Sequence, residues 1–168
     1  MNKTKFKRTE IDGIPEDWGA EAIADLPINI IDGDRGKNYP SKSEFEKQGF
    51  CLFLNTKNVP TEHFNFGECE FINEERDQLL RKGKLQKGDI VLTTRGTVGN
   101  IAYYHKHIPY EHIRINSGMV IVRNAGEKFS TDYLYHLLKS PLVKRQYLSF
   151  ATGSAQPQLP IRDHSCLN

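Results

Sequence analysis

Between residues 85 and 104 the chain reads LQKGDIVLTTRGTVGNIAYY, the clearest alternation of turn, apolar and polar blocks that it contains. A surface turn, Lys87-Gly88-Asp89, precedes the β-branched run Ile90-Val91-Leu92-Thr93-Thr94. A polar, glycine-bracketed stretch from Arg95 to Asn100 follows, and then a second apolar run from Ile101 to Tyr104. Two such runs around a glycine-containing turn predict a β-hairpin. The same pattern places shorter strands elsewhere. Phe50 to Leu54 is continuous and apolar, as a buried strand is; Gly67 to Ile72 alternates with a period of two; and Ile113 to Arg123 ends in a strand, MVIVR. Ile23 to Ile31 is apolar but interrupted by Pro27. Ile14 to Gly19 reads as a turn into the domain, with Trp18 as its anchor.

Helical spacing is confined to two places. Asn73 followed by Glu74 and Glu75 is a cap with early acids, which predicts a short helix over 73–82. Ser130 or Thr131 can cap a helix with apolar positions at Tyr133, Leu134, Leu137 and Leu138. Pro141 then starts a second helix or kinks a single long one. Residues 32–43, DGDRGKNYPSKS, are a loop of strong turn formers. Residues 151–160, ATGSAQPQLP, are extended, because two prolines exclude a regular helix. The fold class is therefore α+β: a strand-rich body with helices mostly toward the C-terminal end.

Length, at 168 residues, makes one domain the default. A formal net charge of +2 is too small for a non-specific polyanion binder, but it allows a local basic face. The run Met1–Arg8 holds four cations and no acid, and is expected to be a solvated, frayed end. Three widely spaced cysteines without a CxxC pair argue against a disulfide framework or zinc site and fit a reducing cytoplasm. No apolar run is long enough for a membrane span, and the basic start lacks the apolar core of a signal peptide.

Catalytic and metal signatures fail on inspection. Asp32-Gly33-Asp34 opens like a calcium loop, but Ser43 stands where its bidentate Glu should be. Gly33 to Lys37 hints at a phosphate loop, with glycines too close together and Asn38 in place of Ser or Thr. His105, His107 and His112 have no carboxylate or cysteine to complete a ligand set, and read as surface histidines. No GxSxG or Cys–His signature is present.

What remains are polar clusters suited to phosphate oxygens and base edges. The hairpin turn offers Arg95, Thr97 and Asn100, with Gly96 and Gly99 allowing close approach of a partner. A second cluster is Arg114, Asn116 and Ser117; a third is Ser154, Gln156 and Gln158; and the loop 32–43 adds Arg35, Lys37 and Asn38. Asn and Gln amides can pair with adenine in the major groove, and Arg can clamp guanine. Taken singly, each cluster reads more readily as a turn or a linker than as a binding site.

Taken together and in order, these segments resemble the target-recognition domain of the specificity subunit of type I restriction–modification enzymes. The resemblance runs from TEIDGIPEDW (Thr9–Trp18) through FLNTKNV (Phe53–Val59), KGDIVLTTRGTVGN, INSGMVIVR and YLYHLLKSP to GSAQPQLPIRD (Gly153–Asp163). It implies a curved, mostly antiparallel sheet body with flanking helices. It also implies that the chain reads one half of a split double-stranded DNA target and carries no active site or cofactor of its own. S-adenosylmethionine, ATP and magnesium would belong to partner methylation and restriction subunits. The expected organisation is one recognition domain over 1–163 and a short atypical tail, 164–168, in place of the family's long spacer helix. A truncated gene product, an excised piece and a natural half-subunit, which would pair with a second copy, all fit that ending. The segment Gly153–Pro160 is expected to be an ordered exit strap, with Leu159 and Ile161 docked on the core. Two readings of other classes stay open: a small DNA-modifying enzyme (a nuclease or methyltransferase fragment), and a protein-interaction domain that imitates a specificity subunit.

Overall fold

Four layers stack in the order short helix, three-stranded sheet, four-stranded sheet and helix pair, in a computed structural model that describes residues 5–9, 13–149 and 151. In chain order the elements are β1 (Phe6–Arg8), β2 (Gly13–Pro15), β3 (Ile28–Asp32), β4 (Cys51–Leu54), β5 (Phe71–Ile72) and α1 (Glu74–Leu79). Then follow β6 (Ile90–Thr93), β7 (Ile101–Tyr103), β8 (Ile113–Ile115), β9 (Met119–Asn124), α2 (Thr131–Lys139) and α3 (Pro141–Ser149). The larger sheet has strand order β3-β9-β6-β7, antiparallel throughout, and the smaller has β5-β4-β8, with β4 and β8 parallel. Strands β1 and β2 form a separate ribbon.

The larger sheet is buried on both faces, so its strands are apolar at consecutive positions. On one face Val91, Ala102 and Ile121 pack with Leu52, Leu54, Ile113 and Ile115 of the smaller sheet. On the other, Ile90, Leu92, Val120 and Val122 pack with Leu134, Leu138, Val143 and Tyr147 of the helix pair. The register puts Val91 opposite both Ala102 and Ile121, as shared facing requires. The outer face of the smaller sheet carries Cys51 and Phe53, covered by Leu80, Tyr39 and Phe45. Burial pushes the Cys51 thiol up to about 12, which removes it as a reactive group.

The α+β class and the mostly antiparallel body hold, and so do the caps. Asn73 accepts from the Arg76 amide, Ser130 accepts from the Tyr133 amide, and Pro141 opens a separate helix. Four expectations are corrected. Ile113–Arg123 is two strands in two different sheets, joined by a tight turn at 116–118. The alternating stretch from Gly67 contributes only a two-residue strand. Trp18 is 62% exposed and anchors nothing among the described residues. Phe6–Arg8 is not frayed but pairs with β2, and Lys7 donates to the Glu16 carbonyl.

Candidate nucleic-acid interface

Strands β3 and β6 both pair antiparallel with β9, and β4 runs parallel to β8, whose end turns directly into β9. The C-terminal ends of β3, β4, β6 and β8 therefore open on one rim. Five connections meet there: 33–38, 55–58, 80–83, 94–100 and 116–118.

The turn 116–118 is the centre of the rim. Asn116 Oδ1 accepts from the Gly118 amide at 2.9 Å, the Asx pattern that closes a turn through a side chain. The Gly118 carbonyl in turn accepts from the Thr94 amide at 2.8 Å and the Arg95 amide at 3.2 Å. A Cβ at position 118 would lie within 4 Å of Asn116 Oδ1, Thr56 Cγ2 and Arg95 Cβ. Gly33 backs onto the same turn so closely that a Cβ there would fall 2.2 Å from the Asn116 carbonyl oxygen. Arg35 donates to Asp32 at 3.0 Å and to the Ser117 carbonyl at 3.3 Å. Burial raises the Tyr39 phenol above its ordinary value, although hydrogen bonds with the Ser117 backbone and hydroxyl pull the other way. Asn116, Ser117, Arg35 and Arg95 are thus brought together from three segments far apart in sequence.

The hairpin is formed by β6 and β7, with Leu92 opposite Ile101. Its tip is closed from within. Thr93 Oγ1 donates to the Thr97 carbonyl and accepts from the Asn100 amide at 2.9 Å. Arg95 and Thr97 project from this closed tip, and neither forms an ion pair or side-chain hydrogen bond with a described residue. Gly96 is open around its missing Cβ and has a φ of +73°, which favours glycine.

Several expected site residues hold structure instead. Arg114 is 5% exposed and cannot meet DNA. Its Nε donates to Asp77 Oδ1 at 2.5 Å, and its terminal nitrogens donate to the carbonyls of Lys82 and Asp77, both at 2.7 Å, and Leu80 at 3.1 Å. Lys84 closes the cluster on Asp77 Oδ2. Burial alone pushes the Asp77 carboxyl up, but Lys84 and Arg114 outweigh it and hold it below the ordinary carboxylate range. Asn100 donates from Nδ2 to the carbonyls of Val59 at 2.9 Å and Pro60 at 2.7 Å. Both of its donors are engaged, so it cannot offer adenine the donor–acceptor pair. Gly99 is covered by Tyr147, whose ring would lie 2.7 Å from a Cβ there, so no partner approaches its backbone. Asn38 uses Nδ2 on the Leu79 carbonyl at 3.1 Å, leaving its oxygen. Asp89 of the supposed surface turn is buried in a two-bond pair with Arg123, at 2.8 Å each. Ser154, Gln156 and Gln158, with the strap Gly153–Pro160, lie outside the described residues.

The rim also carries residues that the sequence reasoning passed over. Arg81 and Lys82 are exposed beside the loop 33–38, and Thr56 and Lys57 stand at the end of β4. The signal was present: Arg81-Lys82-Gly83-Lys84 is a basic run around a glycine, at the end of a short helix. Among the described residues no group of three or more His, Cys, Asp or Glu could hold a metal. His112 stacks on Phe50, with ring centroids 4.2 Å apart, and His105 lies against Tyr103. No helix among the described residues is long and apolar enough to cross a membrane.

The rim is thus an open, polar surface built from strand ends on an α+β body. Residues 15–163 match the family model described as the type I restriction modification DNA specificity domain, and the chain belongs to that family. It is 27% identical over 162 residues to the MjaIX type I restriction enzyme specificity subunit of Methanocaldococcus jannaschii, covering 94% of this chain and 34% of the relative. The fold is similar to the type I restriction–modification S subunit from M. genitalium (TM-score 0.56, 14% identity, 86% of this chain and 31% of that one). It is also similar to the HsdS subunit from Thermoanaerobacter tengcongensis (TM-score 0.57, 16% identity, 95% of this chain and 37% of that one). The chain thus spans about a third of the length of the relatives it matches.

Proposed function

We propose that this chain is a sequence-reading, non-catalytic DNA-binding module of a type I restriction–modification system. The observation that carries the reading is the convergence of Arg95, Thr97, Asn116 and Ser117 on one rim whose backbone is fixed by hydrogen bonds of its own. Arg95 supplies the fork that suits guanine. The Asn116 amide nitrogen and the Thr97 and Ser117 hydroxyls supply further donors and acceptors for base edges. With one such module the target is a half-site. Methylation and restriction subunits, with S-adenosylmethionine, ATP and magnesium, act on DNA that this module selects. The setting is the cytoplasm, where the genome is.

Binding by the isolated chain is weak, of order micromolar, because a single module lacks the gain from linking two half-site readers on one duplex. The test is a selection from random duplex DNA with the purified chain. Enrichment of a short asymmetric sequence supports the proposal; no enrichment over input defeats it. Methyl transfer from S-adenosylmethionine, or magnesium-dependent cutting, by the chain alone would defeat its non-catalytic part.

A further inference from the structure

Beside the base-reading part of the rim lies a cleft of about 390 Å³ with a different composition. One wall is the loop 32–38 and the other is Arg81 and Lys82. We infer that this cleft is a phosphodiester clamp, which grips the DNA backbone next to the bases read by Arg95 and Asn116. The inference rests on the DNA-reading proposal and adds a second, chemically distinct subsite to it.

Charge is the first argument. Arg35, Lys37, Arg81 and Lys82 line the cleft against two carboxylates, Asp32 and Asp34. Both carboxylates are already satisfied. Asp32 pairs with Arg35 at 3.0 Å. Asp34 accepts from the Gly36 amide and from the Arg81 amide, each at 2.8 Å. Burial raises the Asp34 carboxyl, but hydrogen bonds from the backbone of Gly36, Arg81, Lys82 and Arg35 outweigh it and keep it below its ordinary value. Lys37, Arg81 and Lys82 make no ion pair and no side-chain hydrogen bond with any described residue. Three exposed cations therefore face one cleft and outnumber Asp34, the one lining carboxylate that no cationic side chain pairs.

Rigidity is the second. Asp34 ties the two walls together, and Asn38 ties the first wall to the end of α1 through the Leu79 carbonyl. Gly83, with φ at +80°, lets the second wall pass against Gly33 and Ile115; a Cβ on it would lie 3.2 Å from the Gly33 Cα. Arg114, from below, holds the Lys82 and Leu80 carbonyls. The cations thus stand on a backbone braced from three sides, so little loop ordering opposes phosphate binding. Position is the third. Gly33 abuts Asn116, so the cleft adjoins the central turn of the rim, as backbone and base contacts on one duplex must adjoin.

The test uses the full chain, with the double variant Arg81→Ala/Lys82→Ala and the single variant Arg95→Ala. Each is titrated with a random-sequence duplex pool and with a duplex enriched by selection, over a series of chloride concentrations. Each lost phosphate contact should flatten the log–log salt dependence by about 0.9. The double variant is expected to flatten it by one to two such steps and to weaken both duplexes by the same factor. Arg95→Ala should weaken the enriched duplex selectively. Unchanged salt dependence in the double variant, with Arg95→Ala still selective, overturns the clamp and leaves the reading of DNA intact. A loss confined to the enriched duplex also overturns it, because the side chains would then read bases. Absence of duplex binding by the unaltered chain overturns the clamp and the DNA reading together. Thermal melting should be unchanged, since neither side chain makes an ion pair or hydrogen bond with a described residue; if it falls, Arg81→Gln/Lys82→Gln keeps the stems and gives the same readout.

Discussion

Arg114 and Arg95 look alike in the sequence: each is an arginine beside a β-branched strand and a short Asn- and Gly-containing turn. In the fold they belong to opposite regions. Arg114 sits in a charged cluster under the rim, with Asp77 and Lys84, and is 5% exposed. Arg95 stands on the rim itself, with no such partner among the described residues. The lower cluster spends its hydrogen bonds on the chain and fixes where 80–83 and 116–118 run. The Arg95 guanidinium, by contrast, makes no ion pair or side-chain hydrogen bond with a described residue. A polar residue near a turn is thus free for a partner only in those groups that the surrounding backbone does not use, as with the Arg95 guanidinium and the Asn116 amide nitrogen.

The sharpest way to break the comparison is to remove Arg114. Arg114→Ala leaves the Asp77 carboxylate buried with Lys84 alone and strips three carbonyls of their donor. Loss of one partner from a buried pair costs about 3–5 kcal/mol. Urea unfolding should show a fall of that size, and any loss of DNA binding should track unfolding. A variant as stable as the parent, yet defective in DNA binding, would move Arg114 back to the interface.

Next comes the contrast between the two glycines of the hairpin tip. Gly99→Ala drives a methyl into Tyr147 at a φ of +93°, and should cost about 1–3 kcal/mol for overpacking beyond the backbone strain. Gly96→Ala meets open space and carries only the strain, about 1–2 kcal/mol. Melting curves of the pair should therefore separate; equal losses would place Gly99 on the open surface after all.

Arg95→Ala sharpens the comparison from the other side. Stability should stay within about 0.5 kcal/mol of the parent, as for an unengaged surface residue. Affinity for a selected duplex should fall by about 1–3 kcal/mol, with preference relaxed at one position. A folded variant with full affinity and unchanged selectivity would remove Arg95 from the reading set.

The smallest effect expected is a pH trend. Asp77 has a folded-state pKa below its ordinary value of 3.8, so its ion pairs stabilise the protein above that value. The contribution fades as pH falls from about the unfolded value toward the lower folded one. The stability gap between the parent and Asp77→Asn should accordingly be constant near neutrality and shrink on acidification below about pH 4. A gap that grows as pH falls toward about 4 would mean that the folded protein raises the Asp77 pKa instead of lowering it.

Much of the scaffold could be read from residue order alone. Caps at Asn73 and Ser130, the helix start at Pro141 and the β6–β7 hairpin depend on local chemistry, and local chemistry is what a sequence displays. The misreadings depend on layers. Ile113-Arg114-Ile115 suggests one buried and one solvent face, but β8 is covered on both sides, so Arg114 is enclosed with its neighbours. Ile113 to Arg123 looks like one strand approach because nothing local announces that 116–118 passes between two sheets. Trp18 in a turn suggests an anchor, but a single large side chain does not say what lies opposite it, and here it is exposed. Arg81 and Lys82 read locally as the polar end of a short helix, and nothing local announces the loop they face, which lies 43 or more residues earlier in the chain. Family resemblance rested on the order of motifs and survived these local errors.

The tip of the hairpin is closed by Thr93, by the Asn100 amide and by main-chain carbonyls, none of which involves the side chain of residue 95 or 97. In evolutionary terms that separates two kinds of mutation. On the proposed reading, exchanges at 95 and 97 would alter what the tip presents and leave its path unchanged, so that a lineage could drift to a new target through folded intermediates at every step. Exchanges at 93, 99 or 100 would alter the path itself, and would be lost as folding defects before any new preference could be tested. The tip is a socket whose contents can vary because its rim does not.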